Sequence, residues 1–147
     1  MQSKTKAILL GAVIAVPIAT IIVGLIIIYT PIGMHTTPFY GASFNKDRWR
    51  TAYLGKTPEE IDKKLAQCIR GPMFGDLRNR YLRPGTAKAR AIELLGKPDF
   101  GSEGVKDGNK CQRWHLGYCS GFKIDLDSLN VCFDAADRVT HVFRLQH

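Results

Sequence analysis

Cys111, His115 and Cys119 have side chains that bind metal ions, and they are spaced four residues apart. Residues 110–118 alternate between apolar and polar types, which predicts a β-strand. On a strand, positions four apart are separated by about 13 Å, too far for both to bind one zinc ion. The sequence also contains no Cys-x2-Cys pair, so we predict no metal site.

Disulfide bonds are the alternative use for the cysteines. All four lie within residues 45–147 and none in the apolar N-terminal segment, and an even number is typical of an oxidising compartment. Four cysteines allow three pairings, and the sequence alone does not choose among them. The strand register described below favours one bond between Cys111 and Cys132, which leaves Cys68 to pair with Cys119.

Nucleophilic catalysis requires a nucleophile, a base and an orienting group close together. The histidines are His35, His115, His141 and His147, and no nucleophile elbow or paired-acid motif accompanies them. No glycine-rich phosphate loop precedes a helix. We therefore predict that the chain is not an enzyme and uses no cofactor.

A dense group of cations lies between residues 70 and 90, where Asp76 is the one acid. Such a group can bind anionic lipid headgroups or other anionic surfaces. The alternative is a solvated helical face whose carboxylate partners lie elsewhere in the fold. The candidates are Arg70, Arg78, Arg80, Arg83, Lys88 and Arg90.

The N-terminal residues predict a membrane anchor. Residues 7–29 form a run of 23 residues without a charge, whereas a helix needs roughly 20 to cross a bilayer. A cleaved signal peptide is the alternative, but its apolar region is shorter, about 7–15 residues. We therefore expect a tail at residues 1–6, a transmembrane helix at 7–29, a tether at 30–44 and a domain at 45–147.

Lysine and arginine positions predict the orientation of this anchor. Lys4 and Lys6 precede it, and the next cation, Lys46, follows at a distance, which places the N-terminus in the cytoplasm. The domain is then predicted to lie on the other side of the membrane, in an oxidising compartment where disulfides form. The chain also contacts membrane lipid through the anchor in this interpretation.

The net charge of the whole chain is +8. Without Lys4 and Lys6, 19 cations face 13 acids, which leaves the domain with about +6. Nucleic acid is the usual partner of a basic domain. The predicted topology argues against nucleic acid and favours an anionic surface or an acidic partner.

Two helices have clear boundaries. Thr57 precedes Pro58 and Glu60, a capping-box pattern that begins a helix ending before Gly71-Pro72. Thr86 is expected to cap a second helix, which ends at Gly96 and Pro98. Its residues Ile92 and Leu95 form an apolar stripe that needs a surface to pack on.

The predicted packing surface is a sheet in the C-terminal half. Gly101, Gly104 and Asp107-Gly108 predict a loop, and residues 110–118, 121–133 and 138–145 predict three antiparallel strands. The first hairpin sets Trp114 opposite Leu129 and Cys111 opposite Cys132. The expected fold is α+β: an N-terminal transmembrane helix, then two or three helices packed on a three-stranded antiparallel meander.

Several short motifs lie between residues 70 and 145: Asp76-Leu77, LRPGT at 82–86, IELLGKPD at 92–99, WHLG at 114–117 and LNVCFD at 129–134. Through these motifs the chain resembles the BamE (SmpA/OmlA) family of small bacterial envelope proteins, with a transmembrane anchor in place of the family's lipid anchor. The resemblance implies helices on a three-stranded sheet and a role as a binding scaffold in an assembly. With the predicted anchor, it also implies a location in the bacterial inner membrane, with the domain in the periplasm. We accordingly expect a non-enzymatic subunit that binds another envelope protein, with an anionic-lipid or glycan-contacting module as the alternative.

Overall fold

The computed structural model describes residues 20–25 and 36–147. The chain divides into two compact units, Met1–Met34 and His35–His147. Of the first unit, residues 20–25 are described, and they are helical. The second unit contains the four cysteines and the whole sheet.

The predicted membrane anchor is not supported. Within the two described ranges, no helix has the length and apolar character needed to cross a membrane. This finding corrects the transmembrane helix at residues 7–29 and, with it, the location in an inner membrane. The predicted tail at 1–6 and the rest of the 7–29 segment lie outside the described residues.

The helices of the second unit are short. The segment at residues 71–81 is here called the composite helix. It begins as a 3-10 turn, continues as an α-turn and ends as a π-turn, where Leu82 N–H donates to Leu77 O at 3.0 Å. In order, the elements are a 3-10 turn Thr37–Phe39, α1 Lys46–Thr51, α2 Pro58–Leu65, the composite helix (Gly71–Met73, Phe74–Asp76, Leu77–Tyr81) and α3 Lys88–Leu95.

The predicted caps are partly confirmed. Thr57 accepts the Glu60 N–H at 3.2 Å at the start of α2, and Gly96, at φ 79°, ends α3 with its N–H on Ile92 O. Thr86 is not a cap: α3 begins after Ala87, and no side chain caps it. Thr86 O instead accepts the Val139 N–H, so tertiary backbone pairing replaces the local cap.

The sheet has four antiparallel strands, not the predicted three. Residues expected to form a loop make β1, which pairs with β2 through a turn in which Asp107 and Gly108 both have positive φ. Glycines predict loops because they lack packing side chains, but here the neighbouring strand supplies the backbone partners. The strands are β1 Phe100–Lys106, β2 Asn109–Gly117, β3 Asp127–Phe133 and β4 Val139–Gln146, in the spatial order β1-β2-β3-β4.

The register predicted for the first long hairpin is confirmed. Trp114 lies opposite Leu129 and Cys111 opposite Cys132 across β2 and β3. Trp114 is fully buried, and its indole N–H donates to Gly96 O at 3.2 Å. This contact joins the end of α3 to the sheet, as a helix-on-sheet packing requires.

One core joins the helices and the sheet. Leu95 is buried, whereas Ile92 is half-buried at the border of the core. Phe39, predicted to lie in an extended tether, is buried and packs edge-on against Phe74 with ring centroids 6.1 Å apart. The folded domain therefore begins before residue 45, because burying an aromatic ring is strongly favourable.

Two disulfides are present, Cys68–Cys119 and Cys111–Cys132. They are the pairs that the strand register favours. Gly71 packs directly on the first bond, since a Cβ at this position would lie 2.3 Å from the Cys68 sulfur and 2.5 Å from the Cys119 sulfur. Glycine is thus the residue that lets the composite helix start against the disulfide.

Candidate functional site

A groove of about 470 Å³ lies between the composite helix and strand β4. We call it the edge groove because one of its walls is formed by an edge strand of the sheet. None of the described residues that line it is acidic. They are Arg78, Asn79, Leu82, Arg83, Pro84, Lys106, Thr140, His141, Val142 and Phe143.

The helical wall of the edge groove is fixed by buried apolar residues. Leu77 and Leu82, at the two ends of the π-turn, are 0% and 1% exposed. Their burial turns the neighbouring Arg78 and Asn79 outwards, and both of these are exposed. Arg83 Nε donates to Asn79 O at 2.8 Å, which holds this side chain along the same wall.

The opposite wall is the outer edge of β4. Residues 140–143 are consecutive, and consecutive strand residues point to opposite faces of a sheet. A groove that touches all four must therefore run along the edge of the strand and not over one face.

Lys106 reaches the groove from the other end of the sheet. Its Nζ lies 4.3 Å from the ring centroid of Phe143 on β4, although β1 and β4 are the two edge strands. The sheet is therefore curled, and this curl brings Lys106 to the edge groove as a third cation beside Arg78 and Arg83. Sequence reasoning missed Lys106 because nothing in the local sequence relates β1 to β4.

Of the six cations predicted to form an anionic-surface site, two line the edge groove, Arg78 and Arg83. Three others are paired with carboxylates and lie outside the groove lining. Arg80 pairs with Asp76 at 3.1 Å, Lys88 with Asp137 at 3.1 Å, and Arg90 with Glu93 at 2.6 Å. The Arg90 guanidinium hydrogen bond keeps the pKa of Glu93 below its ordinary value.

Arg70 is buried and is not a surface residue. Its guanidinium pairs with Asp99 at 2.5 Å, donates to Trp49 O at 2.8 Å, and lies 4.8 Å from the Tyr53 ring centroid. A charge in this position is compensated on several sides, as buried charges require. Arg70 therefore fastens α1 to the start of the sheet and is not available to an external anion.

Burial around this ion pair also changes two pKa values. Burial raises the pKa of Tyr53 to about 12, and the Tyr53 hydroxyl donates to Leu116 O. Burial lowers the pKa of His115, and the nearby Asp99 carboxylate partly opposes that change. Both groups are consequently favoured in their neutral forms near pH 7.

Among the described residues, no group of three or more His, Cys, Asp or Glu side chains could hold a metal ion. Cys111 and Cys119 are each bonded to another cysteine, so neither offers a thiolate to a metal. Ser128 Oγ lies 2.9 Å from His147 Nε2, an arrangement found in nucleophile–base pairs. Ser128 is completely buried and also donates to Leu145 O, so this contact is a structural hydrogen bond.

No protein-family model, no curated protein and no solved structure matches this chain.

Proposed function

We propose that this chain is a non-catalytic binding domain that holds an acidic protein partner in its edge groove. The observation that carries the proposal is the lining of the groove, where Arg78, Arg83 and Lys106 come together without an acid among the described residues. Other cations nearby are already paired with carboxylates. Their charge is locally compensated, whereas that of the groove is not.

The chemistry of the groove favours binding over catalysis. Its walls provide guanidinium and ammonium groups beside apolar surface from Leu82 and Phe143, which is the combination that protein interfaces use. The two disulfides favour a protein that functions in an oxidising compartment such as a cell envelope. A scaffold role of this kind is also what the resemblance to the BamE family implies, and we retain that resemblance as a hypothesis.

The alternative is a module that contacts anionic lipid or glycan. We favour the protein partner because the three cations lie on both sides of a groove, which suits an inserted chain better than a flat bilayer surface. Vesicles containing anionic lipid provide the test. Salt-sensitive vesicle binding that depends on the groove cations would contradict the protein proposal.

The first experiment locates the contact in living cells. A photo-crosslinking amino acid at Asn79, which is exposed on the groove wall, is expected to form an adduct with one partner protein. The same substitution at Gln67, which is exposed but is not among the described groove residues, is the matched control. Equal adducts from both positions, or none from Asn79, would reject the groove as the binding site.

The second experiment measures the role of charge with the partner identified in this way. Arg78→Ala/Arg83→Ala/Lys106→Ala is expected to weaken binding by about tenfold to a hundredfold, since exposed ion pairs contribute roughly 0.5–1 kcal/mol each. The loss should shrink as salt is raised, because salt screens exposed charges.

Arg48→Ala/Lys63→Ala/Lys123→Ala is the control, because these exposed cations lie outside the described lining and the net charge falls by the same amount. This variant should bind as the original chain does. If both triple variants weaken binding equally, total charge and not the edge groove attracts the partner, and the proposal fails.

A further inference from the structure

We infer that the partner enters the edge groove as an extended acidic peptide that pairs with β4 as an additional strand. This inference rests on the proposed function and specifies how the partner is recognised. It depends on three observations: what already pairs with β4, where that pairing stops, and which charges surround the free edge.

The chain itself begins an additional strand beside β4. Gly85 N–H donates to Val139 O at 2.8 Å, and Val139 N–H donates to Thr86 O at 2.8 Å. Ala87 also forms an antiparallel bridge with Arg138. The outer edge at the start of β4 is therefore already used for backbone pairing.

This pairing stops where the groove begins. Pro84 and Arg83 lead back into the composite helix, and residues 140–143 line the groove from there on. Beyond Val139, no segment within the described ranges pairs with the outer side of β4. An edge strand leaves alternate N–H and C=O groups free on its outer side, and these groups can accept another strand.

β4 has features that protect edge strands in two places: its pairing with β3 shifts register at Thr140, and Arg144 pairs with the buried Asp127 at 2.7 Å. From His141 to Gln146 its pairing with β3 is regular, with no bulge and no proline. Natural sheets use bulges, prolines or inward-pointing charges to prevent strand addition. The edge from His141 to Phe143 therefore stays open to strand addition, opposite the helical wall that Arg78 and Asn79 line.

The charges select the sequence of the added strand. Arg78 and Arg83 on one side and Lys106 on the other favour carboxylates, while Leu82 and Phe143 favour apolar side chains. Because strand side chains alternate in direction, a peptide that alternates acidic and apolar residues satisfies both requirements. A second copy of this chain is disfavoured, since each copy carries a formal charge of +8.

The test uses the full chain with its disulfides intact and a short fluorescent peptide in which glutamate and valine alternate. A peptide in which lysine replaces glutamate is the charge control. Two further versions carry N-methyl groups on alternate residues, one version on the odd positions and the other on the even positions. Binding is measured by fluorescence anisotropy, and protection of β4 amides by hydrogen exchange.

The glutamate peptide is expected to bind, and the lysine peptide is not. One N-methylated version should lose binding by about tenfold or more, because a lost hydrogen bond costs about 1 kcal/mol and several face β4. The other version should bind nearly unchanged, since its methyl groups point away from β4. Amides on alternate residues of β4 should become protected from exchange when the peptide binds.

The outcomes separate this inference from the proposed function. Binding of the glutamate peptide that tolerates both N-methylation patterns would overturn strand addition and leave the acidic-partner groove standing. Absence of binding by every peptide would also overturn strand addition, and the triple-alanine experiment would then decide the proposed function. Tight binding of the lysine peptide would contradict both.

Discussion

Removing the Asp99 carboxylate should destabilise the domain far more than its partial exposure suggests. The side chain of Arg70 is 5% exposed and that of Asp99 is 26% exposed, with 2.5 Å between Nη1 and Oδ2. The backbone N–H of His115 also donates to the same Asp99 oxygen at 2.8 Å. Asp99→Ala would leave the Arg70 guanidinium buried without its counter-charge.

The expected loss is about 3 kcal/mol in the free energy of unfolding, the lower end of the ~3–5 kcal/mol range for breaking a buried ion pair. We take the lower end because Asp99 is partly exposed and Arg70 keeps the carbonyl of Trp49 as an acceptor. The double variant Arg70→Met/Asp99→Ala should be more stable than Asp99→Ala by about 1 kcal/mol, since it removes the unpaired charge.

Urea unfolding of the oxidised protein measures both values, and Asp99→Ala should lower the midpoint by about 2 M. Arg90→Ala is the control, because both partners of its pair with Glu93 are exposed, at 53% and 52%, so its removal should hardly move the urea midpoint. If Asp99→Ala unfolds like Arg90→Ala, or if the double variant is the least stable of the three, the pair is not desolvated and the reasoning is refuted.

Three further predictions concern the core. Burial raises the pKa of Tyr53 to about 12, so the free energy of unfolding should fall as pH rises from about 10 towards 12, and Tyr53→Phe should flatten this dependence in alkaline urea titrations. Leu95→Asp should unfold the domain, because Leu95 is buried, whereas Ile92→Asp should leave it folded but less stable, because Ile92 lies at the border of the core. Circular dichroism measures both effects, and equal effects would mean that the border of the core is misplaced. Serine replacement of the Cys68–Cys119 pair should lower the free energy of unfolding by about 4 kcal/mol, and that of the Cys111–Cys132 pair by about 3 kcal/mol. The first bond closes a loop of 51 residues and the second a loop of 21, and a longer loop restricts the unfolded chain more. The opposite order in thermal unfolding would contradict this explanation.

The register of the β2–β3 hairpin could be predicted from sequence because it depends on alternation alone. Shifting the pairing by one residue would move Trp114 to the opposite face, so the apolar pattern specifies one register. The pairing of Cys111 with Cys132 follows from that register. The start of α2 was predictable for a similar reason, since Thr57 and Glu60 act within one turn.

Features that depend on distant parts of the chain could not be predicted in this way. β1 contains Gly101 and Gly104, which predict a loop until β2 is known to pair beside it. Thr86 has the side chain of a cap, but its backbone pairs with Val139, more than fifty residues later. The predicted anchor is a different case, because most of residues 7–29 lie outside the described residues, and the described ones contain no helix long and apolar enough to cross a membrane.

The candidate site shows the same division. Arg78 and Arg83 stand out in the sequence as cations, but Lys106 joins them only because the sheet curls. The burial of Arg70 could not be predicted from the local sequence either, since its partner Asp99 lies 29 positions away. Charge density in a sequence therefore does not show which cations are accessible and which are buried or paired.

The two disulfides overlap along the chain, and this overlap affects how the domain responds to proteases. One bond joins positions 68 and 119 and the other joins 111 and 132, so every peptide bond between Cys68 and Cys132 lies inside at least one covalent ring. A single cleavage anywhere in this interval leaves one molecule whose pieces separate only after reduction. A protease in an oxidising compartment would have to cut twice within one ring, or cut outside both, to release a fragment.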